Sequence, residues 1–442
     1  MRKIFTFGRK IRNKAKSTLS NLLLKTPLAL NSPYLAAMSL AFLTKKENSN
    51  GSKYKVLALA RSIFMDDVKA MSEFSGQIEF LSTPLPYWQI FFDHFMRGPK
   101  YELLEENNYH VTNYCTEGRE KYFQFIMKFL PAYKKFSGFK AILTGNFAYM
   151  PQQELARACT KLNIPFIVLH KEAVAVSESY ENYVNQYKNH KFIGAKVLFY
   201  NKQNMEGLLN INMAGLSRDN SSIVGIPRFD NYFLSPDEKP NRKQIVFFSF
   251  WPRHSFRYIT KDEDKLKKID ERSEQFFKMV MELAKKHPDV SFVVKTKRAK
   301  HFVEYVENIL NKYFKDGIAN FKITNIGDPS EMIHQSLAVI GFSSTTLIEA
   351  IVVGKLIVTP DFDDIMAGQP WDYFTNHQKL VHYARDIETL EQLLFEKAHN
   401  FQYDREARDD FLNEYISTTA GGASKKAEHA IIETIETYNK LS

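Results

Sequence analysis

AVIGFSSTTLIEAIVVGKLIVTPDF, residues Ala338–Phe362, places two apolar strands on either side of one short helix. Leu337–Gly341 reads as a buried strand. Phe342-Ser343-Ser344-Thr345-Thr346 breaks it, and a helix is predicted from about Thr346 to Val353. Gly354 ends that helix and Leu356–Thr359 forms the second strand. A strand, a hydroxyl-rich turn and a helix N-terminus together turn free backbone N–H groups and the positive end of a helix dipole outward. Ser343, Ser344 and Thr345 add hydroxyl donors, so a phosphate or diphosphate is the expected guest. The alternative is that Ser343 or Ser344 only caps the helix.

The same alternation extends along the chain. Short strands are predicted at Tyr54–Ala60, Gln77–Leu81, Ala141–Thr144, Phe166–His170, Val197–Tyr200 and Ser222–Val224, with helices between several of them, among them Glu120–Phe129 and Gln152–Leu162. Pro236–Pro240 is a polar break. A second set follows at Ile245–Ser249, Ser291–Lys295, Phe321–Thr324, Ala338–Gly341 and Leu356–Thr359. Its helices are predicted over Ser273–Lys286, Val303–Phe314, Ser330–Gln335 and Thr346–Val353. Strands that are apolar on both faces and separated by helices predict two parallel, doubly wound α/β sheets. Ligands of such sheets sit at the carboxyl ends of the strands, here in the cleft expected between two domains. The expected organisation is a basic segment over 1–46, an acceptor domain over 47–235, a donor domain over 241–415, and a closing helix over 416–442 packing back across the domains.

Charge is distributed unevenly. Residues 1–46 contain ten Lys and Arg and no Asp or Glu, whereas the other 50 basic side chains are matched by all 50 acidic ones. A basic pI confined to one end argues against a general nucleic-acid binder. Ile4, Phe7, Ile11, Ala15, Thr18 and Leu22 recur at helical spacing among these basic residues. That pattern predicts a helix over residues 1–30 lying on an anionic membrane surface, the inner face of the cell membrane, with a solvated basic arm as the alternative. Leu19–Leu30 is broken by Lys25 and Pro27, and Tyr34–Leu43 is too short to span a bilayer. Cys115 and Cys159 make neither a disulfide framework nor a metal motif, as expected of reduced thiols in a cytoplasmic protein.

Four loops of the second half open at strand carboxyl ends: Phe250–His254, Lys295–Arg298, Asn325–Asp328 and the Ser343–Thr346 turn. Together they offer an aromatic wall, cations and a helix N-terminus to a nucleotide. Arg253, Lys295 and Lys297 are the candidate phosphate partners, and Glu349 the candidate acceptor for ribose hydroxyls. Solvated cations, and a Glu349 paired with Thr345 or a lysine, are the open alternatives. In the first half, His170-Lys171-Glu172 closes a strand, and Asp230 follows Gly225-Ile226-Pro227-Arg228-Phe229. His170 and Glu172 offer a general base or carboxylate nucleophile, and Asp230 a second carboxylate, the pair that glycosyl transfer needs. Alternatively, Glu172 pairs with Lys171 or Arg228 and Asp230 caps a turn. Walker A, G-x-G-x-x-G, H-E-x-x-H and paired C-x-x-C motifs are absent. Asp361, Asp363 and Asp364 come nearest to a metal-binding acidic motif but lie in a loop, so metal independence is the expectation.

Val224–Asp230 (VGIPRFD), Ile245–His254 (IVFFSFWPRH), Phe292–Lys297 (FVVKTK), Gly341–Val358 and Thr418–Ser424 (TTAGGAS) carry a resemblance. Over roughly residues 160–430 the chain resembles GT-B glycosyltransferases of the bacterial surface-polysaccharide branch. These include capsule and lipopolysaccharide Kdo transferases and the related CDP-glycerol glycerophosphotransferases. The resemblance implies two Rossmann-like domains facing a central cleft and a cytidine-nucleotide sugar, CMP-Kdo favoured, as donor substrate without a further cofactor. It places the Ser343-Ser344 turn at the donor phosphate and a membrane-associated glycan on the first domain, and it makes Glu172 and Asp230 the acids of a retaining reaction. Polyol-phosphate transferases usually carry His-Pro where this chain has Lys297-Arg298, which sets CDP-polyol phosphotransfer second. A glycan-binding scaffold is the non-catalytic alternative.

Overall fold

The computed structural model describes residues 19–96, 98, 100–171, 177–234, 243–249, 251, 253, 256–257, 259–342, 344–372 and 374–440. The chain divides into two compact units, the first made of residues 1–173, 184–228 and 422–442, the second of 174–183 and 229–421. The chain passes from the first unit to the second between Arg228 and Phe229, ahead of the polar break at 236–240, which is outside the described residues. The closing helix is Ala423–Lys440 and belongs to the first unit, whereas Arg405–Ile416 is a separate helix of the second. Gly421 and Gly422, at φ 79° and 85°, turn the chain between these helices in a conformation that disfavours a Cβ.

Strands β1 (Lys45–Lys46), β2 (Lys55–Ala60), β3 (Glu79–Pro84), β4 (Ala141–Thr144), β5 (Phe166–His170), β6 (Lys196–Phe199) and β7 (Ser221–Ile223) form the first sheet, in the order β1-β3-β2-β4-β5-β6-β7. Every pairing is parallel except that of β1 with β3. Helices cover both faces, which is why Val56-Leu57-Ala58-Leu59 is apolar without alternation and fully buried. Aromatic packing fixes one helical layer: Trp88 and Phe91 on the Leu85–Phe95 helix meet Phe129 of the Thr116–Ser137 helix edge-on at 5.9 and 5.4 Å. The Trp88 indole donates to Thr83 Oγ1 at 2.9 Å. On the closing helix, Glu428 accepts from the Gln77 backbone N–H at 2.8 Å and Glu436 from the Tyr54 hydroxyl, holding that helix to this unit.

The second sheet is wholly parallel: β8 (Gln244–Phe248), β9 (Ser291–Lys295), β10 (Phe321–Thr324), β11 (Ala338–Ile340), β12 (Leu356–Pro360) and β13 (His382–Ala384), in the order β10-β9-β8-β11-β12-β13. Its interior is built from Ile245, Val294, Ala338, Ile340 and Val358 with Phe276, Val280 and Met281 of a covering helix. That helix starts at Glu263, ten residues ahead of the predicted Ser273. The Asp262 side chain caps it by accepting from the N–H groups of Asp264 and Lys265. Residues 263–272 are charge-dense, and Leu266 and Ile269 alone mark their buried face. β3 likewise sits two to three residues later than Gln77–Leu81, because pairing with β2 selects its register.

Asp262→Ala leaves two helix N–H groups without their acceptor and should cost about 1 kcal/mol. Urea denaturation should show a lower midpoint with an unchanged slope.

Candidate functional site

In the second unit the strand order reverses at β8. The chain goes from β8 to β9 on one side and later to β11 on the other, so loops leaving β8 and β11 diverge at their carboxyl ends. Register keeps those ends level: Phe247 lies opposite Ile340, and Phe248 opposite Lys295. The Ser344 turn, Lys295 and the loop carrying Trp251 and Arg253 therefore share one edge of one sheet. Parallel spacing sets β9 and β11 about 10 Å apart across β8.

The turn after β11 caps a helix, as one of the two sequence readings expects. Ser343 lies outside the described residues. Ser344 is the N-cap of the Thr345–Val353 helix, accepting from Thr346 N–H at 3.4 Å and lying 2.9 Å from the Thr346 hydroxyl. Thr345 is the first helical residue, so its N–H belongs to the unsatisfied N-terminal set that an anion can meet. A Cβ on Gly341 would stand 2.5 Å from Leu347 Cδ2, so glycine here lets the helix start close against β11. Behind the turn, Phe342 stacks on Trp371 at 5.7 Å, with Phe256 and Phe362 completing an apolar cluster.

The cations divide into two kinds. Arg253 is already engaged, bonded to Asp270 at 3.0 Å and to Glu263. Burial pushes the Asp270 carboxyl upward against the pull of Arg253. Lys295 is half-buried and donates to the Thr296 carbonyl at 3.1 Å, and among the described residues no carboxylate pairs with it. Burial, then the nearby Arg298, pull its ammonium below the ordinary lysine range. Lys297 is exposed, its ammonium 5.6 Å from the Phe302 ring centre. Trp251 is exposed and stacked on Tyr305 at 6.2 Å. Phe250, the other half of the expected aromatic wall, lies outside the described residues. Glu349 is buried and accepts from the Tyr232 hydroxyl at 2.8 Å, a partner the sequence reading did not anticipate.

The candidate acids are placed unequally. Glu172 lies outside the described residues. Asp230 belongs to the Pro227–Phe233 turn and is buried, with Oδ1 3.3 Å from where a Gly421 Cβ would stand. The VGIPRFD and TTAGGAS motifs thus meet, since Ser424 Oγ also donates to the Pro227 carbonyl at 3.3 Å. His170 closes β5 inside an aromatic box, stacked on Phe147 at 4.7 Å and edged by Tyr187 and Phe199. This enclosure differs from the open strand end that a general base would occupy.

Two constellations escaped sequence reading. In the first unit, Asp67 is fully buried and receives the Arg228 guanidinium at 3.1 Å, the Arg228 backbone N–H at 3.1 Å and the Tyr200 hydroxyl. Burial, then Asp67, push the Tyr200 phenol far above its ordinary range. Arg228 bonds Asp67, 161 residues distant in sequence. In the second unit, Asp361 takes Arg385, Asp363 takes the Trp371 indole, and Asp364 takes Arg272 through two bonds of 3.1 and 2.9 Å. Asp372, buried beside them, accepts from Tyr383 Oη and Phe374 N–H. Burial raises its carboxyl to about 6. Among the described residues no cluster of three or more His, Cys, Asp or Glu is arranged to hold a metal.

No protein-family model and no curated protein matches this sequence. Among solved structures the chain is similar to a protein described as a UDP-N-acetylglucosamine 2-epimerase of Listeria monocytogenes, with 13% identity over 87% of this chain and 98% of that one, at a TM-score of 0.50. It is also similar to the UDP-GlcNAc 2-epimerase of Neisseria meningitidis bound to UDP-GlcNAc, with 14% identity, 87% and 100% coverage and a TM-score of 0.46. Similarity to the wall teichoic acid polymerase TagF with CDPG covers 97% of this chain and 98% of that one, with 12% identity and a TM-score of 0.48. At 13% identity the first likeness is one of fold. Each unit is a doubly wound, Rossmann-like sheet, and the fold class is GT-B.

Asp67→Ala removes the carboxylate that meets the largely buried Arg228 guanidinium and should cost about 3 kcal/mol, read as a lower urea midpoint. Asp372 has its folded-state affinity for protons raised, so its contribution to stability is present at pH 4 and is lost as pH rises through about 6. The loss across that window should be about 3 kcal/mol, and Asp372→Asn should flatten the stability profile there, measured by denaturation at pH 4 to 7.

Proposed function

We propose that this chain is a GT-B glycosyltransferase that moves a sugar, Kdo from CMP-Kdo in the favoured form, onto a membrane-associated surface glycan. The observation carrying this reading is the edge of the second sheet at the β8–β11 reversal. There a capped helix N-terminus and two lysines without carboxylate partners among the described residues lie level with an exposed tryptophan. That set suits a nucleotide: Trp251 stacks the base, while Lys295, Lys297 and the Ser344-Thr345 turn take the phosphate. As the bond from the anomeric carbon to the phosphate oxygen breaks, negative charge grows on the departing nucleotide. The lysines and the helix N–H groups stabilise that charge more than they do the intact donor. Asp230, buried in the same unit, and Glu172 are the carboxylates proposed to assist at the anomeric carbon and to take the acceptor proton.

A nucleotide titration with thermal unfolding tests the donor. At about 100 times its dissociation constant CMP should add about 2.7 kcal/mol of stability, with or without EDTA. Lys295→Ala and Lys297→Ala should each weaken CMP binding at least tenfold, the loss of one charge-assisted hydrogen bond. A preference for UDP would replace the donor and move weight toward sugar-nucleotide epimerisation. Phosphate incorporated into product would favour CDP-polyol phosphotransfer, and no response to any nucleotide would leave the scaffold reading.

A further inference from the structure

The helix Pro33–Leu43, PYLAAMSLAFL, has no charged residue and is packed on one side only. Ala36, Ala37 and Leu40 are buried, and this helix lies against Thr116–Ser137, where Tyr34 meets Phe136 edge-on at 5.3 Å. Thr44, at its C-cap, is tied to the Tyr133 hydroxyl at 2.8 Å. The other side is largely exposed. Tyr34, Met38 and Phe42 recur every four residues and are 59%, 48% and 78% exposed, Tyr34 touching Phe136 by one edge only, and Leu22 of the preceding helix and Leu30 of the turn after it are exposed at 63% and 64%. Four-residue spacing puts the first three in one stripe.

We propose that this stripe is a membrane-docking face, and that its occupant is the surface of an anionic lipid bilayer. Charge selects that occupant. Lys25, Lys45 and Lys46 flank the stripe and are exposed, and residues 1–46 contain ten basic and no acidic side chains. Among the described residues no carboxylate pairs with Lys25 or Lys45, and Lys46 reaches Glu79 only at 4.0 Å. A second copy laid on the same face would bring two such basic regions together, so charge opposes self-association. An anionic bilayer offers hydrocarbon to Met38 and Phe42 and phosphate to the lysines. It also accepts Tyr34 at the headgroup level, where an aromatic ring with a polar tip is favoured. Eleven helical residues extend about 16 Å, so the helix lies along the interface. No described helix is long and apolar enough to cross a membrane. The face extends beyond the 1–30 segment named from sequence. It depends on the proposed function only for where the acceptor resides.

Vesicle flotation without donor or acceptor tests the face separately from the nucleotide site. The full chain should float with vesicles of phosphatidylglycerol and phosphatidylcholine, float far less with phosphatidylcholine alone, and be released by 0.5 M salt. Met38→Glu with Phe42→Glu should weaken flotation at least tenfold, while the thermal midpoint and the CMP-dependent shift stay as in the parent. In Phe42→Trp, brominated lipid should quench fluorescence beyond the quenching of the three native tryptophans. Undiminished flotation of the double variant, or a residue-42 tryptophan that lipid does not quench, overturns the proposal. A parent that is dimeric and becomes monomeric in the double variant, with flotation unchanged, assigns the stripe to a second copy instead.

Discussion

Parallel pairing of β8 with β11 is the constraint on which the candidate site depends. With β9 on the opposite side of β8, connections leave the two strands in opposite directions and expose the carboxyl edge between them. The pairing works only if the helix after β11 can start at once. Gly341 permits this, because a side chain there would run into Leu347. Ser344 then caps the helix, and Gly354, at φ 79°, ends it after nine residues and returns the chain to β12. A one-residue slip of β11 would exchange its two faces and carry the turn out of line with Lys295.

Electrostatics divides the work between two cationic side chains. The arginines Arg228, Arg253, Arg272 and Arg385 are each bonded to carboxylates of their own unit. A guanidinium fork fixes two partners at once and so locks loops to helices. Lys295 and Lys297 end or follow a strand without such a partner among the described residues. Arginine thus ties loops to helices, and under the proposed function the charge that meets the donor phosphate is lysine. Arg253, a candidate phosphate partner from sequence, is bonded to Asp270 and Glu263.

Legibility follows the distance between cause and effect along the chain. Strands such as Val56–Leu59 and Val339–Ile340 are readable because burial on both faces demands continuous apolar sequence. The Ser344 turn is readable because cap, glycine and helix lie within a dozen residues. The start of the Glu263–Lys286 helix is not, since its first ten residues face solvent on most sides and two apolar side chains are a weak periodic signal. The partners of Asp67, 133 and 161 residues away, leave no local mark at all. Nor does sequence distinguish a strand-end histidine facing solvent from His170, whose box is assembled from three separate elements.

By itself, then, the sequence determined two doubly wound α/β units, the hydroxyl-rich turn after β11 and the basic, acid-free first 46 residues. Each is written in local periodicity or composition, where neighbours in sequence share one physical environment. The tertiary structure decided which cations are tied to carboxylates and which unit takes the closing helix. It also decided that Glu349 serves Tyr232, and that Met38 and Phe42 remain exposed. Those outcomes depend on which distant side chains desolvate one another, and burial of that kind is a property of the packed chain alone.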